Sequence, residues 1–188
     1  MSVDVVATVG GATANAYLDE DAAQALLDGV PNTSAWDTAT SDARGVALVY
    51  ATRMIDALLY LGAKASTTQA LSWPRAYVVD PDYSTVGANS GPFGIMLDTW
   101  PGYLVTTAIP TRIKRGTTML AFEILRAGTA DVWGVDASLN VRRKQVDVIS
   151  TEYYDRSQRL TGLRKYPSVY REVFPLTLAS EPRSVNRA

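Results

Sequence analysis

The stretch SDARGVALVYATRMIDALLYL, residues 41–61, decides the fold class. Val46, Val49, Tyr50, Met54, Ala57, Leu58 and Leu61 recur at three- and four-residue intervals and make a wide apolar stripe along a helix. Thr40 or Ser41 offers a hydroxyl to the unpaired N–H groups of the first turn. Gly62 stands where a left-handed residue closes a helix. Trp36, just upstream, is expected to fold back onto this helix.

Outward from it, two more helices are predicted. Residues 13–28 carry Ala14, Tyr17, Leu18, Ala22, Ala25 and Leu26 at helical spacing, with Thr13 as the cap and Asp19 as the place where the helix would break. Gly29 and Pro31 end that segment. Residues 110–127 place Pro110 at the first helical position and Ile113, Thr117, Leu120, Ile124 and Ala127 on one face, with Gly116 allowing close approach. Between the second and third helices, residues 63–109 are interrupted by Pro74, Pro81, Pro92 and Pro101 and predict irregular structure. Trp73, Tyr77, Tyr83, Phe93, Ile95, Trp100 and Tyr103 lie in that region, more apolar surface than a solvated linker carries.

After Gly128 the period changes. Residues 141–154 are β-branched and alternating, with Val146 and Val148 on one face and Ile149, Thr151 and Tyr153 on the other. This is one strand or one arm of a hairpin, and its N–H and C=O groups must pair within the arm or with another chain. Residues 166–178 predict a short helix closed by Pro175. The fold class is therefore mainly α: a small helical bundle with a long irregular insertion and a C-terminal strand or hairpin arm. Residues 1–128 form the bundle with an insertion at about 79–105, and residues 129–188 an extended arm with a strand and a short terminal helix; removal of residues 141–188 should leave the helices folded.

The chain contains no Cys and no His. Disulfides, thiolate nucleophiles, imidazole bases and the commonest zinc ligands are absent together, so triad hydrolases and ordinary zinc enzymes are excluded. Asp19, Glu20 and Asp21 are adjacent and splay around a helix; Asp80 and Asp82 flank Pro81 in a turn. Gly10-Gly11 and the Gly91–Gly94 pair lack the lysine and helix of a phosphate loop. No catalytic, cofactor or metal site is expected, and the chain is not expected to be an enzyme. No apolar run approaches the roughly 20 residues of a membrane span, and the first residues lack the basic start and apolar run of a signal peptide. A protein made and used in a cytoplasm, or carried out inside an assembly, is expected.

Net charge is −1, unevenly spread. Residues 1–63 sum to −6 and residues 110–188 to +6. Opposite ends of opposite sign let one copy meet another. Arg142, Arg143 and Lys144, with Tyr153, Tyr154 and Arg156 nearby, combine cations with aromatic faces, the chemistry of single-strand binding. The overall charge is not that of a dedicated nucleic-acid binder.

Several features in order resemble the head-to-tail connector, or adaptor, proteins of tailed bacteriophages, a family sometimes labelled DnaT-like. They are Ala14-Asn15-Ala16-Tyr17-Leu18, Trp36, the run from Ala47 to Asp56, Gly62, then Gln69-Ala70-Leu71-Ser72-Trp73-Pro74-Arg75, the most specific piece, and Ile109-Pro110 before the later helix. A basic run into a strand ending at Tyr153 or Tyr154 follows, with a terminal apolar segment. The resemblance covers roughly residues 10–178. The insertion at about 79–105 and the segment 129–141 depart from the family's usual pattern.

The resemblance implies a virion protein of the neck, between head and tail, present in the host cytoplasm during assembly. It implies a ring of identical subunits, typically twelve, docked beneath the portal protein. Such a ring extends the DNA channel, through which DNA passes without specific binding, and offers a platform to a tail or nozzle protein. No membrane is involved. The residues expected at partner contacts are Arg142, Arg143, Lys144, Val146, Val148, Tyr153, Tyr154, Tyr166, Tyr170 and Phe174, with residues 79–105 facing the tail or a neighbour. Trp73, Pro74 and Arg75 are expected to form a structural corner. The alternative function is a single-stranded-DNA-binding replication accessory protein.

Overall fold

A computed structural model describes residues 3–82, 102–127, 143–146, 149–152 and 162–178. The described part is mainly helical: α1 (Glu20–Leu27), α2 (Ser34–Asp37), α3 (Ser41–Asp56), α4 (Thr111–Ala127) and α5 (Pro167–Val173), with short 3₁₀ turns at Gly162–Lys165 and Phe174–Leu176. Two small antiparallel pairs accompany them: β1 (Ala63–Lys64) with β2 (Arg75–Ala76), and β3 (Arg143–Val146) with β4 (Ile149–Glu152).

Helix α4 is the hub. Helices α1, α2, α3 and α5 all pack on it. Its inward face carries Ile113, Thr117, Leu120 and Ala121, all fully buried. Trp36, Leu48 and Ile55 close the core on one side, and Val169, Val173 and Leu176 on another. Burying side chains of this size contributes about 1.5–3 kcal/mol each. Gly116 lets α5 approach: a Cβ there would lie 2.4 Å from Val173 Cγ2. The predicted bundle and its close contact at Gly116 are both present, and Trp36 does fold back, its carbonyl accepting from Arg44 Nε of α3 at 2.9 Å.

The first predicted helix is shorter than its periodicity. Residues 14–18 are not helical, because Asn15 pins them to the N-terminal segment: its Oδ1 accepts from Val6 N at 2.7 Å and its Nδ2 donates to Asp4 O at 2.8 Å. The helix begins instead at Glu20, where Asp19 Oδ1 caps Ala22 N at 2.8 Å. Thr40 caps α3, accepting from Ala43 N at 3.2 Å.

The buried face of α3 is rotated from the predicted stripe. Leu48, Ala51, Thr52 and Ile55 are fully buried, whereas Val46 and Tyr50 are each 44% exposed. Small residues decide this: Ala47 and Ala51 admit neighbours closely, and a pattern of large apolar residues does not register them. The helix also ends at Asp56, before Leu58 and Leu61. Gly62 is left-handed (φ 69°) but serves the next turn, where a Cβ would collide with Ala76 O at 2.1 Å.

The C-terminal part has the expected hairpin and departs from two other expectations. Residues 143–146 pair with residues 149–152, Val146 opposite Ile149 and Arg143 opposite Glu152, so this ladder closes within its own arm. That register places positions 146 and 149 on the same face, not on opposite faces as simple alternation predicts. Residues 162–178 are not arm at all. Helix α5 seats on α4, and Tyr60 pairs with Thr177 in a one-residue bridge flanked by Leu61 N donating to Leu176 O and Leu178 N donating to Leu59 O. Deleting everything after residue 141 would strip Val169, Val173 and Leu176 from the core.

Candidate functional site

The sequence 69–75 sits where the chain leaves α3, and its side chains tie that exit. Gln69 is buried; its Nε2 donates to Leu71 O (2.8 Å) and Pro74 O (3.0 Å), and its Oε1 accepts from Ser66 N (2.9 Å). Ser72 N donates to Asp56 Oδ1 at 2.6 Å, and the Tyr17 hydroxyl donates to the same carboxylate. Trp73 is buried edge-on against Tyr60, ring centroids 5.3 Å apart, and the Trp73–Pro74 peptide is cis.

The Arg75 guanidinium donates to Leu61 O and Gly62 O at 2.7 Å each, and more weakly to Ser72 O and Tyr60 O. A planar fork of donors suits such a cluster of carbonyls as an ammonium cannot. Burial, reinforced by the Asp56 charge, pushes the Tyr17 and Tyr60 phenols well above the usual tyrosine range. These hydroxyls stay protonated and act as donors. The predicted corner at Trp73, Pro74 and Arg75 thus has a physical role: it organises the turn after α3. Gln69, Trp73 and Pro74 of the motif point inward, away from the exposed surfaces.

The root of the insertion is the first such surface. Asp80 N donates to Gly102 O (2.8 Å) and Leu104 N to Val78 O (2.9 Å), so the two feet of residues 83–101 are held side by side. Val78 is fully buried and Leu104 half-buried, while Val79, Tyr103 and Val105 are exposed. Tyr77, just before this ladder, is left-handed (φ 61°) and 77% exposed. An open groove of about 290 Å³ runs beside it, lined by Leu104, Val105, Ile109, Pro110, Arg112 and Leu176 among others. Arg112 pairs with Asp82 and lies 3.9 Å from Glu172 of α5. The hydrogen bond from Arg112 holds the Asp82 carboxyl below the usual range. The groove lining is largely apolar, with Asp80, Asp82 and Arg112 as its charged groups. No group of three acidic residues able to hold a metal occurs among the described residues.

The second surface is the β3–β4 hairpin. It packs chiefly on itself and leaves both outer edges unpaired by any described strand. Residues Arg143, Lys144 and Val146 lie on β3, opposite Glu152, Thr151 and Ile149.

A family model described as "Putative DnaT-like ssDNA binding protein" matches residues 1–188. The chain belongs to that DnaT-like family. No curated protein and no solved structure matches it.

The partner-contact residues expected for this DnaT-like chain fall into three groups. Arg143, Lys144 and Val146 are brought together on one strand. Arg142, Val148, Tyr153 and Tyr154 lie outside the described residues. Tyr166, Tyr170 and Phe174 belong to the bundle: Tyr166 is buried, and the half-buried rings of Tyr170 and Phe174 stack at 4.6 Å on α5. Tyr166 is thus a core residue. The sequence reading missed Asp56 and Tyr17, whose partnership joins positions 39 residues apart. Only the polar end of α3, an aspartate just before an apolar exit, hinted at it.

Proposed function

We propose that this chain is a structural assembly subunit, a head-to-tail adaptor that docks as a ring beneath the portal of a tailed phage. The observation that carries this is the division of labour in the fold. The most specific motif of the chain is spent on an inward corner, while other features remain for a partner: a self-paired hairpin whose outer edges no described strand pairs, and exposed apolar residues at the insertion root. Open strand edges accept a partner strand, and exposed apolar residues beside a groove accept a partner side chain. On this reading the hairpin meets the portal, and the insertion root meets the tail side or a neighbouring subunit.

The test replaces residues 141–154 by a short Gly-Ser linker, which leaves residues 162–178 in the bundle. The variant should fold and fail to co-purify with portal rings encoded by the same genome. Unchanged co-purification would refute the hairpin's role.

A second reading, single-stranded DNA binding, is supported directly by the description of the family. It favours Arg143 and Lys144 as backbone contacts, since cations paired with aromatic faces hold single strands. It predicts oligonucleotide binding that weakens steeply between about 50 mM and about 200 mM salt. A gel shift separates the readings at the lower salt concentration: single-strand binding should retain a complex there, and the adaptor should retain none. The acidic sum of residues 1–63 favours the adaptor, because it repels a phosphate backbone from that part of the chain.

A further inference from the structure

The outward face of α3 carries Asp42, Val46, Tyr50 and Arg53, all exposed. At 100° per residue these four positions fall within a strip about 80° wide, running about 16 Å along the axis. The strip is apolar in its middle, acidic at the N-terminal end and basic at the C-terminal end. Neither Asp42 nor Arg53 has an ion pair or side-chain hydrogen bond among the described residues. Arg44, the other arginine of α3, is by contrast committed to Glu20 at 2.7 Å.

This order of groups is its own complement. Turn a second α3 antiparallel about a two-fold axis near residue 48, and position 46 meets position 50 while position 42 meets position 53. Val46 of each copy then faces the Tyr50 ring of the other, and each Asp42 faces an Arg53. An isologous interface demands this reciprocity, residue i on j and j on i.

We infer that the exposed strip of α3 is a self-pairing surface whose occupant is the same strip of a second copy of this chain. The patch is small, so the pair is weak, with a dissociation constant on the order of tens of micromolar. Covering Val46 and Tyr50 supplies the attraction, and the two charge pairs fix direction and register. The inference does not rest on the adaptor reading: a pair built on α3 neither needs a portal nor uses the hairpin.

The test is sedimentation of the full chain from about 5 to 500 µM, a range chosen to bracket that affinity. The wild type should show a concentration-dependent monomer–dimer equilibrium. Asp42→Lys and Arg53→Glu each bring like charges together and should weaken it at least tenfold. The double variant Asp42→Lys/Arg53→Glu exchanges the two ends in both copies and should return to within about threefold of wild type, because the interface is reciprocal. Val46→Glu should abolish pairing. Circular dichroism checks that each variant is folded, as exposed positions allow. A wild type that stays monomeric throughout, single reversals without effect, or a folded double variant that does not recover would each overturn the inference. Loss of portal attachment in the hairpin variant has no bearing on any of these outcomes, so failure of the two ideas is separable.

Discussion

Replacing Gly116 by alanine measures whether α5 is seated on the bundle. The new Cβ would lie 2.4 Å from Val173 Cγ2, against about 3.5–4.0 Å for two carbons in contact. More than 1 Å must be found, and both neighbours are locked: Val173 is fully buried and Gly116 is mid-helix. Overpacking of this kind costs about 1–3 kcal/mol. Alanine in place of glycine in a helix returns about 1 kcal/mol. The net expectation is a destabilisation of about 0–2 kcal/mol. For a chain of this size that lowers the melting temperature by up to about 8 °C. The sign should depend on Val173. With Val173→Ala, the obstructing methyl groups are gone, and Gly116→Ala should become neutral or stabilising by up to about 1 kcal/mol. Urea titrations of the four proteins give the cycle. If Gly116→Ala stabilises the protein to the same extent in both backgrounds, α5 does not touch α4 at this point, and the placement of residues 162–178 in the core is wrong.

Two further perturbations probe the corner and the acid range. Arg75→Lys keeps the charge but cannot reach four carbonyls from one planar fork, and it should cost about 1–3 kcal/mol in a urea titration; an unchanged midpoint would show that the guanidinium is not organising the exit of α3. Glu20 is held below its ordinary value of 4.5, first by the hydrogen bond from Ser41 and then by Arg44. A lowered folded value means that its contribution is present above about 4.5 and is lost as the pH falls through the folded value. Glu20→Gln should therefore flatten the fall in melting temperature below about pH 4.5, and an identical acid profile for both proteins would refute the linkage.

The division between the two surfaces and the core has a consequence for how the family motif is understood. Residues 69–75 are the most specific stretch of the sequence, yet Gln69 and Trp73 are buried and Arg75 reaches back to the carbonyls after α3. A motif of this kind holds a shape.

The residues alone determined the mainly helical class, the hydroxyl cap of α3, the buried Trp36 and the close approach at Gly116, because each follows from local spacing or from the steric character of one residue type. The corner at Trp73, Pro74 and Arg75 was implied by the family resemblance and not by local spacing; its partners, Tyr60 and the carbonyls after α3, appear only in the tertiary structure. Three matters were decided only in three dimensions. Asn15 reaches back to residues 4–6 and cancels a helix that periodicity favours, a competition between side-chain and helical hydrogen bonds. Alanines turn α3 so that Val46 and Tyr50 face outward, because burial follows the shape of the neighbours as well as the size of the side chain. The segment 162–178 returns to the core across more than 30 residues, a long-range contact whose existence no local pattern encodes. The exposed strip of α3 and the seated α5, and with them the surfaces left open to a partner, are products of that tertiary packing.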